Sequence, residues 1–179
     1  MNSDGHEDIF ISQNFFGVAN PQQNPRLDSG RGLWMTGDGT GNFKAVPGHQ
    51  TGVMVYGEQR GAALGDFDGD GRVDLAVSQH SAATKLFYNQ SDSKGLSISL
   101  VGPVINENGY GSSVRLIYAD GSRGPLRTIH AGSGYWSQNS SRQVLGKAGN
   151  AIAAEIIWFD GKRESIELDP GQNEVMIRY

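Results

Sequence analysis

The stretch Gly65 to Ser78, GDFDGDGRVDLAVS, sets Asp66, Asp68, Asp70 and Asp74 at positions 1, 3, 5 and 9 of one short loop. Side by side these carboxylates repel, so the loop must hold a cation that offsets them or stay in water. Gly71 permits a sharp turn, and the flank VDLAVS is β-prone. The start of the chain echoes this loop in NSDGHEDIFIS. Aligning Asp4-Gly5 on Asp70-Gly71 puts Asn2 on Asp68, Asp8 on Asp74 and EDIFIS on VDLAVS, an offset of 70 − 4 = 66 residues. Such an offset marks a repeated structural unit. The residue matching Asp66 would precede Met1, so the expectation is a chain that begins inside a repeat, as a fragment, a processed form or an incomplete gene product.

Glycine is abundant, 26 of 179 residues, which calls for many tight turns and so many short strands. Val, Ile, Leu, Phe and Tyr recur in short blocks, which argues against disorder. The formal net charge is −4 and no basic patch is visible, which argues against nucleic acid as a partner. With no cysteine, disulfides and thiolate metal sites are excluded. No run reaches the ~18 apolar residues of a membrane span. The polar start MNSDGHEDIF is no signal peptide, so an exported protein would carry its signal outside this chain.

Along the chain, LWMTGDGTGNFKAV has apolar ends around a Gly/Asp/Asn turn and reads as a hairpin, and TKLFYNQ reads as a strand. VANPQQNPRLDSGRG is a polar, proline-bearing surface loop. From about Lys94 the blocks GLSISLVG, SSVRLIYADGSRGPLRTIHAG, AAEIIWFDGKRESIEL and NEVMIRY alternate with a period near two. ADGS and FDGK are strong hairpin turns, and this half reads as an antiparallel sandwich or barrel. The boundary falls in QSDSKG, giving parts 1–93 and 94–179.

The spacing D-x-D-x-D-G-x-x-D suits a hard cation such as calcium, which takes about six to eight oxygen ligands. Asp66, Asp68 and Asp70 would give side-chain oxygen, Arg72 its backbone carbonyl with its side chain outward, and Asp74 would close the shell. An EF-hand needs a bidentate Glu at its twelfth position and flanking helices. Val77 stands there and the flank is β-prone, so that reading fails. The remaining rival is a solvated acidic turn, since Asp and Gly favour turns in any case. The first loop offers Asn2, Asp4, the His6 carbonyl and Asp8, one ligand short.

GDFDGDGRVDLAVS followed by TKLFYN resembles the FG-GAP/VCBS repeat, as one full and one truncated copy over residues 1 to about 90. That resemblance implies blades of an integrin-like β-propeller with calcium between the first two strands of a blade. The second half resembles the ASPIC/UnbV domain through Gly109, the segment Gly132 to Gln138, Leu145-Gly146 and Trp158 to Gly161. VLGKAG departs from the His-Phe-Gly-Leu-Gly common there. Chains with both parts resemble the cartilage acidic protein group and its bacterial relatives, which implies export.

His6, His49, His80 and His130 are scattered and form no metal spacing. HAGSGYWSQ holds His130, Ser133 and Ser137, but Ser133 lies outside a G-x-S-x-G elbow, and no catalysis is expected. Tyr135 and Trp136 either pack on the sheet or meet a partner. GDGTG and GSGYWSQ lack the Lys of a phosphate cradle, and Asn89 and Asn139 stand in glycosylation acceptor triplets. The expectation is an all-β chain: a partial β-propeller plus an antiparallel β-sandwich or barrel-like domain. Its expected role is a non-catalytic, calcium-binding interaction or assembly module at the cell surface, outside the cell or in the periplasm. Its open strand edges call for further blades in a longer chain or for partner subunits. The alternatives are a carbohydrate-binding module using Tyr135 and Trp136, and an accessory protein in natural-product biosynthesis.

Overall fold

In the computed structural model residues 3–14, 30–146 and 151–179 are described. The polar loop expected at 18–32 falls mostly outside them. Strands β1 (Ile9–Ile11), β2 (Leu33–Gly37) and β3 (Phe43–Val46) form one antiparallel sheet in the order β1-β2-β3. After a single helical turn, α1 (Gly48–Thr51), strands β4 (Gln59–Gly65), β5 (Asp74–Gln79) and β6 (Ala82–Phe87) form a second, ordered β4-β5-β6. Trp34, Val53, Val55, Leu75 and Val77 make the core they share. The ring of Phe10 tilts against Trp34 at 5.7 Å between centroids.

The repeat is written in the backbone. Ser3 and Gly69 occupy equivalent positions with φ of 55° and 77°, and Gly5 and Gly71 follow with 91° and 85°. The His6 amide donates to Asp4 Oδ1 at 2.9 Å, and the Arg72 amide to Asp70 Oδ1 at 2.9 Å. One loop conformation is thus kept at both sites, even where Ser3 must adopt a left-handed conformation that glycine takes at no steric cost.

The expected β2–β3 hairpin is present, and Asp38 organises its turn. Its carboxylate accepts from the Thr40 amide at 2.8 Å, the Thr40 hydroxyl at 2.7 Å and the Asn42 side chain at 3.3 Å. The Thr40 side-chain and backbone bonds, the largest causes, pull Asp38 down from 3.8 to about 2. A carboxyl depressed in the folded state stabilises it above the ordinary pKa and loses that contribution as pH falls through about 2. Acid should therefore loosen this turn only between about pH 4 and 2. The check is the Thr40 amide resonance, which should titrate in that window and stop doing so in Asp38→Asn.

The second half contains β7 (Gly95–Val101), a 3-10 turn at Val104–Asn106, β8 (Ser113–Tyr118), β9 (Arg127–Thr128), β10 (Gln143–Gly146), β11 (Ala151–Ile157), β12 (Arg163–Glu167) and β13 (Glu174–Arg178). One sheet runs β10-β7-β13 and the other β12-β11-β8-β9. Between them lie Leu96, Ile98, Leu100, Val114, Leu116, Ile156, Trp158 and Ile177. Gly121 and Gly161, at φ 81° and 90°, turn the chain where Asp-Gly predicted it. The wholly antiparallel expectation needs one correction: β13 runs parallel to β7, from Glu174 opposite Ser97 to Arg178 opposite Val101. Alternation decides which face a side chain takes but not strand direction. Strands β12 and β13 belong to opposite sheets, so the link between them crosses the sandwich instead of closing a hairpin.

Part of the edge of β4 meets another segment of the same chain. The Leu64 amide donates to Asn139 Oδ1 at 2.9 Å, and the Ser140 amide donates to the Leu64 carbonyl at 2.8 Å. Upstream, a Cβ on Gly61 would stand 2.8 Å from the Trp136 carbonyl oxygen and 3.0 Å from that of Tyr135. Gly61→Val should force the 133–140 loop off β4. Urea unfolding should show a loss of about 1–3 kcal/mol, the range for overpacking a tight contact.

Candidate metal centre

The acidic loop joins β4 to β5, and the pairing of Gly65 with Asp74 closes its base. Backbone amides shape it from inside. Asp66 accepts from the amides of Asp70 and Gly71, both at 3.0 Å, one on each oxygen. Asp68 accepts from the Asp70 amide at 3.2 Å. Asp74 is 1% exposed, and each of its oxygens takes one amide, from Phe67 and from Asn89, both at 2.8 Å.

Asp66, Asp68 and Asp74 bring carboxylate oxygens within 4.8 Å of one another. Calcium–oxygen distances of about 2.3–2.6 Å put oxygens on opposite sides of one ion at roughly 4.6–5.2 Å. Three oxygens no farther apart than that can all reach one hard cation. When bound, calcium would supply two positive charges that offset the mutual repulsion of the carboxylates. Val77, where an EF-hand would need its Glu, is fully buried in β5, and no helix flanks the loop.

Two sequence-predicted ligands are arranged differently. The Asp70 carboxylate pairs with the guanidinium of Arg72 and stands outside the three-carboxylate group. The Arg72 side chain, expected to point outward, folds back and donates through Nε to the Ser91 carbonyl at 2.5 Å. An acidic loop attracts the nearest cation, and the segment after β6 offers that cation a carbonyl.

In the first loop, Asn2 lies outside the described residues. Among the described residues, Asp4, His6 and Asp8 do not form a group of three converging ligand side chains. Asp8 Oδ1 accepts from the Gly37 amide at 3.2 Å, as its counterpart Asp74 accepts from Asn89. Burial pushes the Asp8 carboxyl above its ordinary value, against the opposing pull of the Gly37 amide.

Tyr135 and Trp136 are 59% and 84% exposed, and their rings stack at 5.2 Å with an 8° tilt. Trp136 holds a φ of 47°. Their loop is braced: the Ser133 amide donates to the Ser137 carbonyl at 3.0 Å and the Asn139 amide to Ser133 Oγ at 2.9 Å. Ser137 Oγ donates to the Ser133 carbonyl at 2.5 Å, so that hydroxyl is engaged within the loop. The backbone packs on β4 while the two rings face solvent.

Asn89 was visible in the sequence only as a glycosylation acceptor. Its amide serves Asp74, and its side chain donates to the Val73 carbonyl at 3.2 Å. Asp74→Ala would strand two part-buried amides, each costing about 1–3 kcal/mol. In chelator this variant should lose about 2–4 kcal/mol by urea unfolding, whereas Asp68→Ala, an exposed change, should stay within about 0.5 kcal/mol.

Residues 1–77 match the FG-GAP-like repeat family, and residues 102–179 match the family described as ASPIC and UnbV. No curated protein matches the chain. Among the described residues no helix is long and apolar enough to cross a membrane. The chain therefore carries an FG-GAP-like repeat over 1–77 followed by an ASPIC/UnbV domain over 102–179.

Proposed function

We propose that the chain is a non-catalytic calcium-binding interaction module that works outside the cytoplasm. The observation that carries this reading is the convergence of Asp66, Asp68 and Asp74 within 4.8 Å. Asp70 and the Arg72 carbonyl are the remaining ligands from this loop. Both families suggest interaction of an extracellular type, where calcium is abundant. The Gly71 carbonyl accepts from the Gly95 amide at 2.8 Å, so ordering the loop also orders the start of β7.

Calcium that binds only the folded form adds RT ln(1 + [L]/Kd), about 2.7 kcal/mol at a hundredfold excess over Kd. Calcium should therefore raise the melting temperature relative to chelator, and Asp66→Ala should remove most of the rise. An unchanged melting temperature in the native chain would overturn the reading.

A second reading concerns the Tyr135–Trp136 pair, held out to solvent by a braced loop. Exposed aromatic faces stack on sugar rings, and a left-handed Trp136 is a local cost that a binding role would explain. On a glycan array the native chain should bind a defined set of sugars and Trp136→Ala should lose them. Equal signals from both proteins would count against a carbohydrate site.

A further inference from the structure

Asp70 is set apart from its neighbours in the loop. The carboxylates of Asp66, Asp68 and Asp74 converge, while that of Asp70 turns to the Arg72 guanidinium. The same guanidinium reaches the Ser91 carbonyl at 2.5 Å, in the segment between β6 and β7. The two side chains are 19% and 26% exposed, so water screens this pair less than it screens a free surface pair. A planar fork is what lets one side chain serve a carboxylate and a carbonyl together.

We propose that Arg72 is a built-in competitor for the metal. Its guanidinium occupies Asp70 until a divalent cation draws that carboxylate into the shell, and it then stays on the Ser91 carbonyl. This inference rests on the calcium reading above. A fixed positive charge beside the loop has two effects: it offsets carboxylate repulsion in the metal-free chain, and it opposes the arrival of another cation. Removing it therefore moves stability and metal affinity in opposite directions. An arginine that only held the loop together would, on removal, weaken both.

The experiment compares the native chain with Arg72→Gln, by calorimetric calcium titration and by thermal melting in chelator. Arg72→Gln should bind calcium roughly tenfold more tightly, the size expected of one unit charge several ångströms away in a solvent-exposed loop. In chelator it should melt about 2–4 °C lower. Arg72→Lys keeps the charge without the fork, should bind with intermediate affinity, and carries the affinity test if Arg72→Gln fails to fold. Calcium binding to the native chain with equal or weaker affinity in the variants overturns the inference alone. No calcium binding by any of the three overturns the calcium reading and this inference with it.

Discussion

A buried carboxylate joins the two halves of the second sheet. Asp74 is nearly inaccessible, and its oxygens take amides from Phe67 at the start of the acidic loop and from Asn89 beyond β6. A buried polar group is costly unless hydrogen-bonded, and both oxygens of this side chain are. It fixes where the loop begins and where the chain leaves the sheet. Asp8 accepts from the Gly37 amide in the first sheet as Asp74 does from Asn89, so this contact belongs to the repeat itself.

From that clamp follows the link to the second half. Four residues in sequence order, Gly71 to Asp74, each hold part of the segment that runs from Asn89 to Gly95. The ASPIC/UnbV half returns to the same sheet from the other side, where Asn139 and Ser140 cap the edge at Leu64. Arg127 adds an ion pair to Glu7 at 2.8 Å. The acidic loop therefore sits at a structural crossing, and any ion it held would act on the joint as well as on the sheet β4-β5-β6.

Much of this was legible from the residues. The Asp-Gly spacing determined both loop conformations, because left-handed backbone at Gly5, Gly69 and Gly71 follows from local chemistry. The Asp-Gly turns at 120 and 160 were legible for the same reason. Strand direction was not: β13 pairs with β7 through contacts remote in sequence, and alternation carries no sign of them. The fold-back of Arg72 depends on Ser91, which only tertiary structure brings near. The cover over β4 likewise joins Leu64 to Asn139, 75 residues apart. Tyr135 and Trp136 stood out by composition, but their exposure depends on which side of the loop meets β4.

The proposed calcium role requires one hard cation among Asp66, Asp68 and Asp74 in the loop after β4. Anomalous diffraction from crystals grown in calcium tests it most directly. One peak is expected about 2.3–2.6 Å from an oxygen of each of these three residues, with Asp70 turned toward it. A map with no peak at this loop, or with the three carboxylates turned away into solvent, would contradict it.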